Sequence, residues 1–325
     1  MIAGHPFGAC LPTFGSCADR YCLGGYGGGG KTMPEMLDLA AKVKGLDGLE
    51  LVGNWHVNDE NIRDVAGMFS DKGIKICMLV PDLWTQAKWG RGSIAAPDKK
   101  TRLAGIAEIK KVMDWAAHLK CKYIDVWPGQ DGFDYCFQAN YTEAWKWMKD
   151  ALAECAQHNN KVRMLVEYKP KEPRTHCFVD SAAKVLLLLE GLKEVGVLID
   201  WGHALQGGEN IAQSAALVSA YGKLDYFHLN DNYRSWDDDM MACSVHLVEY
   251  LELVYWLKRL KYKGWLTLDI FPYREDGVRA ATQSKEWLEA MFRAVDRVGM
   301  DAFKDVIVSA DACSASELVR CAMNI

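Results

Sequence analysis

The sequence predicts an α/β protein: a single (β/α)8 TIM barrel with a C-terminal helical extension. Three observations carry this expectation. Short β-branched or aliphatic runs alternate with longer segments of helical period, eight times over and always in β-then-α order. Several of the strand-like runs are almost continuously apolar, as parallel strands covered on both faces are. No Pro/Ser-rich linker or low-complexity block divides the chain. At about 100–200 residues per domain the 325 residues suggest two domains, but a barrel of about 250 residues is one unit. The barrel is therefore expected over 1–300, with an add-on over 301–325. A doubly wound open sheet would need fewer strands and a clear cofactor loop.

In chain order, strands are expected at 7–11, 49–52, 74–80, 123–126, 163–167, 195–200, 226–229 and 265–270. Helices are expected between and after them at 34–43, 60–70, 102–119, 143–157, 182–192, 211–220, 247–260 and 280–298. Pro34 suits a first helical turn, where its missing N–H costs nothing, and Asp180-Ser181 brings capping chemistry to the Ala182 helix. Gly73, Gly222 and Gly264 each fall just before a strand, where a helix needs a stop.

Composition excludes several functions. With 38 basic and 43 acidic residues, a formal charge of −5, and no basic stripe, the chain does not resemble a nucleic-acid binder. Its densest basic cluster, Lys258, Arg259, Lys261 and Lys263, lies at helical spacing beside Leu253, Val254 and Leu257 and reads as a solvated helix face. Eleven cysteines, with no CxxC pair, indicate neither a disulfide framework nor a thiolate zinc site. The first residues lack a basic segment followed by an apolar run, so no leader peptide is expected. The longest purely apolar stretch, 185–189, is far short of the ~20 residues that span a bilayer. A reducing, cytoplasmic setting without membrane association is the expectation.

One motif tempts. Gly25 to Thr32 satisfies the phosphate-loop pattern GxxxxGK[ST]. A working phosphate loop needs a buried strand leading into it, and the residues from Cys17 to Leu23 include charged and turn-forming types instead. A loop over the barrel mouth is the better reading.

The informative feature is a series of polar residues at successive strand ends. VRMLVEYKPKEPR ends a strand with Glu167, followed by Lys169; VGVLIDWGHAL ends the next with Asp200, with His203 after it. LDYFHLNDN gives His228, and WLTLDIFPYRED gives Asp269. A lone strand-end Asp is commonly a helix cap. Four such residues on four consecutive strands converge on one barrel mouth, where carboxylates and an imidazole repel or desolvate badly without a cation. Hard oxygen donors plus imidazole suit Mn²⁺, Mg²⁺ or Co²⁺. A second cluster follows in the loop from Asn230 to Asp239, and Asp237 and Asp239 with His203 could surround another cation, so one or two ions per subunit are expected.

At these residues the chain resembles the xylose-isomerase-like barrels, specifically the sugar isomerases of the L-rhamnose and xylose type. The resemblance rests on EYKPKEPR, IDWGHAL, HLNDN with the following DDD triplet, and VWPGQDG, and is strongest over 123–275. It implies Glu167, Asp200, His228 and Asp269 as ligands of one metal, and His203, Asp237 and Asp239 as ligands of another, with Mn²⁺ the first choice. It also implies Lys169 as the group that polarises the substrate carbonyl, and Trp127 as a stacking wall, with Trp55 and Trp84 beside it. Glu167, Lys169 and Asp269 are the expected catalytic residues, and His56, Trp84, Trp127 and His203 the expected substrate contacts. Two departures stand out. The family's early-strand His is missing, since MLVPDLW offers Asp82 and Trp84, which leaves His56 as a substitute. The spacing from His228 to the triplet is slightly longer than in the L-rhamnose isomerases, which leaves open which of its aspartates bind.

The implied activity is aldose–ketose isomerisation of a small unphosphorylated sugar (rhamnose, lyxose, xylose or apiose-like) by a metal-mediated hydride shift, in a homodimer or homotetramer. Two alternatives stay open: a one-metal sugar 3-epimerase or related lyase with Glu167 and Asp269 as acid and base, and a sugar-binding barrel without chemistry.

Overall fold

The computed structural model describes residues 1–325. Eight parallel strands close into a barrel in sequential order: β1 (Phe7–Cys10), β2 (Gly48–Val52), β3 (Lys75–Val80), β4 (Tyr123–Val126), β5 (Arg163–Glu167), β6 (Gly196–Asp200), β7 (Leu224–Leu229) and β8 (Trp265–Leu268). β8 returns to β1, with Phe7 opposite Leu266. The connecting helices are α1 (Met33–Ala40), α2 (Ile62–Lys72), α3 (Lys99–His118), α4 (Tyr141–Ala156), α5 (Ala182–Leu188), α6 (Trp201–Gln206), α7 (Ile211–Ala220), α8 (Leu247–Arg259) and α9 (Gly277–Val298). The (β/α)8 expectation therefore holds.

The local signals act as their chemistry dictates. Pro34 lies in the first turn of α1, the Ser181 hydroxyl accepts the Lys184 amide hydrogen at the start of α5, and Gly73 ends α2 in the left-handed conformation. Three features were not expected. The six-residue α6 follows β6 directly, because the Asp200 carboxylate caps it through the His203 amide at 2.8 Å. A short antiparallel pair, Gly132–Phe133 with His176–Cys177, ties together the loops after β4 and β5. α5 stops at Leu188, before Gly191 at positive φ. The chain end, by contrast, forms the expected helical extension, as two helices, α10 (Met300–Ser309) and α11 (Ala312–Met323). They dock through Phe303 against Tyr255 and through Arg297, which donates to the Ala322 carbonyl.

Alternation along the strands sorts the core into two parts. Outward-pointing residues such as Leu51, Ile124, Val166, Ile199, Phe227 and Leu268 join one large cluster with the helices. Inward-pointing Met78, Tyr123, Leu165, Leu198 and Tyr226 form a small cluster in the barrel interior. Residues two further along each strand point the same way, so Asp125, Glu167, Asp200 and His228 stand directly above this plug at the C-terminal mouth. The site is built on rigid strands over a packed floor.

No helix is long and apolar enough to cross a membrane. All eleven cysteines are free thiols, and seven of them are buried. Gly25 to Thr32 follows turn residues, with no strand leading in. The N-terminus of α1 is closed by its own capping box, in which the Thr32 amide donates to Glu35 at 2.7 Å. That leaves no phosphate cradle there.

Candidate metal centre and active site

A cavity of about 280 Å³ opens at the C-terminal mouth. Its walls include Glu50, Asp125, Glu167, Lys169, His203, His228, Asp237, Asp239 and Asp269, with Trp55, Trp84 and Trp127 on one side. Parallel pairing sets Asp200 of β6 opposite His228 of β7, which brings two of the expected ligands together. Donor atoms of Glu167, Asp200, His228 and Asp269 lie within 4.8 Å of one another, and so do those of Asp200, His203 and Asp237. The two groups share Asp200, which is fully buried.

The hydrogen bonds show how each side chain is held. His228 Nδ1 is 3.1 Å from Glu167 Oε1, and its Nε2 is 2.9 Å from Glu50 Oε2. His203 donates from Nδ1 to the Tyr168 carbonyl at 3.1 Å, and its Nε2 is 3.1 Å from Asp237 Oδ2. Lys169 donates to the same Asp237 oxygen at 2.6 Å, with Glu172 3.5 Å away. Asn230 donates to both oxygens of Asp200. Of the acidic triplet, Asp237 and Asp239 line the cavity, whereas Asp238 turns away and accepts the Tyr233 amide hydrogen.

Protonation follows from crowding. Burial pushes Glu167 upward, but the imidazoles of His228 and His203 outweigh it and hold the carboxyl at about 2. Burial raises Asp200 to about 7. Burial also raises Asp125, Asp239 and Asp269, reinforced by neighbouring carboxylates. Burial opposes charge on His203, yet Asp200, Asp237 and Glu167 lift it to about 9. For Lys169 burial is overcome by Asp237, Asp239 and Glu172, so the ammonium is held above its usual range. Lys169 and His203 in turn overcome burial at Asp237 and keep it well below the usual carboxylate range.

So many carboxylates cannot all ionise in one buried space without added positive charge. Asp237 Oδ1, Glu50 Oε1 and Asp125 Oδ1 are buried without any hydrogen-bond partner. Carboxylate oxygens and two imidazoles, some still unpartnered, are a donor set that fits a divalent cation.

The tryptophans form a continuous wall, with ring centroids 5.6 Å apart for Trp55 and Trp84 and 5.3 Å for Trp84 and Trp127. His56 is not part of the lining. Its Nδ1 accepts the Val52 amide hydrogen at 2.9 Å, and burial lowers it to about 4, so it stands as a neutral support beneath Trp55 rather than as the expected substrate contact. Asp82 is likewise occupied, accepting from Trp84, Thr85 and the Trp55 indole.

Two carboxylates of the cavity carry no motif in the sequence, Glu50 and Asp125. Both are single carboxylates inside apolar strands, GLELV and YIDV. The available signal was parity: Asp125 stands two residues after the inward-facing Tyr123. A register shift between Leu49 and Glu50 hides the same signal on β2.

Comparison with known proteins places these features. A family model described as xylose isomerase-like TIM barrel matches residues 37–291. The xylose isomerase of Thermus thermophilus is 26% identical over 233 residues, which take in 68% of this chain and 60% of that protein. That of Agrobacterium fabrum is 26% identical over 205 residues, 59% of this chain and 47% of that protein. The chain thus spans about half to three-fifths of the length of these curated relatives. Among solved structures, a D-tagatose 3-epimerase-like protein superposes with a TM-score of 0.70 at 16% identity, covering 90% of this chain and 99% of that one. An L-ribulose 3-epimerase gives 0.70 at 15% identity, covering 95% and 99%. At such identities the likeness is one of fold. With the family match extending over most of the barrel, the chain belongs to the xylose isomerase-like TIM barrel family.

Proposed function

We propose that the protein is a metal-dependent aldose–ketose isomerase acting on a small unphosphorylated sugar by a 1,2-hydride shift. The observation that carries this reading is the pair of donor groups that share Asp200, with the Lys169 ammonium beside them in one cavity. Glu167, Asp200, His228 and Asp269 would hold one cation. Asp200, His203 and Asp237, with Asp239 alongside, would hold a second, with Mn²⁺ preferred and Mg²⁺ or Co²⁺ able to replace it. When bound, the cations supply Lewis-acid polarisation of adjacent substrate oxygens.

The remaining work falls to the chain's own residues. Lys169 keeps its proton at Nζ and donates a hydrogen bond to the carbonyl oxygen, stabilising the charge that grows there. The tryptophan wall packs on the C–H face of the sugar and excludes water. In the reaction the hydrogen on C2 passes with its electron pair to C1, and the O2 proton ends on O1. Lys169 is the only lysine or arginine in the lining, and it is already paired with Asp237 and Glu172. No clamp for a phosphate remains, which favours a free sugar.

A panel of free aldoses including rhamnose, lyxose, xylose and apiose tests this directly. Chelator-stripped protein should be inactive, and added Mn²⁺, Co²⁺ or Mg²⁺ should restore ketose formation from at least one of them. Sugar binding without turnover under every cation would favour the non-catalytic barrel instead. The one-metal epimerase or lyase reading, with Glu167 and Asp269 as base and acid, draws on their opposite protonation tendencies.

A further inference from the structure

Two imidazoles face the carboxylate cluster, and each is tied through its other nitrogen. For His203 the tie is a backbone carbonyl, that of Tyr168. His228 has no backbone partner for its ring. Its Nε2 is 2.9 Å from Glu50 Oε2, while Nδ1 faces Glu167 Oε1 at 3.1 Å and both Asp200 Oδ2 and Asp269 Oδ2 at 3.8 Å.

Glu50 arrives from β2 and meets β7's His228 across the barrel interior. Its side chain is only 3% exposed, and His228 is its sole hydrogen-bond donor. A carboxylate buried to that degree is costly unless it is paired, so a structural purpose alone would be served better by an apolar residue. A carboxylate on the far nitrogen of an imidazole fixes the proton there, frees the other nitrogen's lone pair, locks the ring plane and raises basicity.

We propose that Glu50 is a positioning residue: it holds the proton on His228 Nε2, so that Nδ1 presents its lone pair to a divalent cation shared with Glu167, Asp200 and Asp269. This rests on the metal-centre reading above and adds to it a residue on a strand that supplies no ligand. It also states which nitrogen binds.

The test compares stripped wild-type protein, Glu50→Gln and Glu50→Asp in Mn²⁺ titrations followed by electron paramagnetic resonance. Far-UV circular dichroism monitors the fold. Glu50→Gln should bind Mn²⁺ about 10–100-fold more weakly, and Glu50→Asp, which keeps the charge, should recover part of the loss. Equal affinity in folded Glu50→Gln and wild type would overturn the proposal. A second measurement needs no variant: ¹⁵N spectra of histidine-labelled wild type with Mg²⁺ should show the His228 proton on Nε2. A proton on Nδ1 would overturn it. Wild type that binds no Mn²⁺ would sink the metal-centre reading itself, an outcome distinct from intact binding that is indifferent to Glu50.

Discussion

At the scale of single residues, Asp200 carries the most. It caps α6, receives Asn230, pairs in register with His228 and belongs to both donor groups. Residues that belong to one group separate the roles. Asp237→Ala and His203→Ala should each abolish turnover while leaving the circular dichroism of the barrel unchanged, and full activity in both would remove the second cation from the account. Most ligand candidates were legible because they close a strand or follow it in a polar motif such as EYKPKEPR or HLNDN. Glu50 and Asp125 were not, since a lone carboxylate inside GLELV or YIDV is outvoted by its apolar neighbours. His56 misled for the opposite reason: a histidine in a loop after β2 is equally consistent with substrate contact and with accepting the Val52 amide, and only the fold decides.

At the scale of elements, the turn from β6 into α6 shapes the second donor group. A Cβ added to Gly202 would come within 2.5 Å of Asn230 Oδ1 and 2.9 Å of Asp237 Oδ1, closer than side chains pack. Gly202→Ala should therefore displace Asp237 and cut kcat by at least about tenfold, equivalent to about 1.4 kcal/mol; unaltered kcat would contradict that packing. α8 supports the same corner, where Tyr250 stacks on Trp201 at 3.6 Å and donates to the Asn230 carbonyl at 2.5 Å. Tyr250→Phe leaves that buried carbonyl unpartnered at a cost of about 1–2 kcal/mol. A thermal melt should show Tm lowered by several degrees; an unchanged Tm would show that the carbonyl finds another donor. The eight strands were readable because each is short, apolar and bounded by turn residues. α6 was not, because six residues are too few to show a helical period and the cap residue doubles as a ligand candidate.

At the scale of the whole molecule, the barrel separates a packed floor from a charged mouth, and pH acts on a buried histidine outside both. Burial lowers His56 from 6.5 to about 4, so the folded chain holds that imidazole neutral. Between those values the unfolded chain binds more protons, so this contribution to stability is complete above about pH 6.5 and fades as pH falls toward 4. Urea melts at matched metal content should show a shallower acid loss in His56→Gln than in wild type; parallel curves would contradict a neutral buried His56. The overall architecture was legible because the β-then-α alternation extends through the chain, while the mouth's selectivity lies in loops whose shapes no periodicity encodes. The proposed chemistry is hydride transfer between adjacent carbons. Conversion of the responsive aldose in D₂O, with the metal removed before ¹H and ²H spectra are recorded, tests it most directly. The ketose should carry at C1 the hydrogen from C2 and essentially no solvent deuterium; deuterium entering the product carbon at every turnover would rule out the hydride shift and assign the chemistry to carboxylate acid–base catalysis.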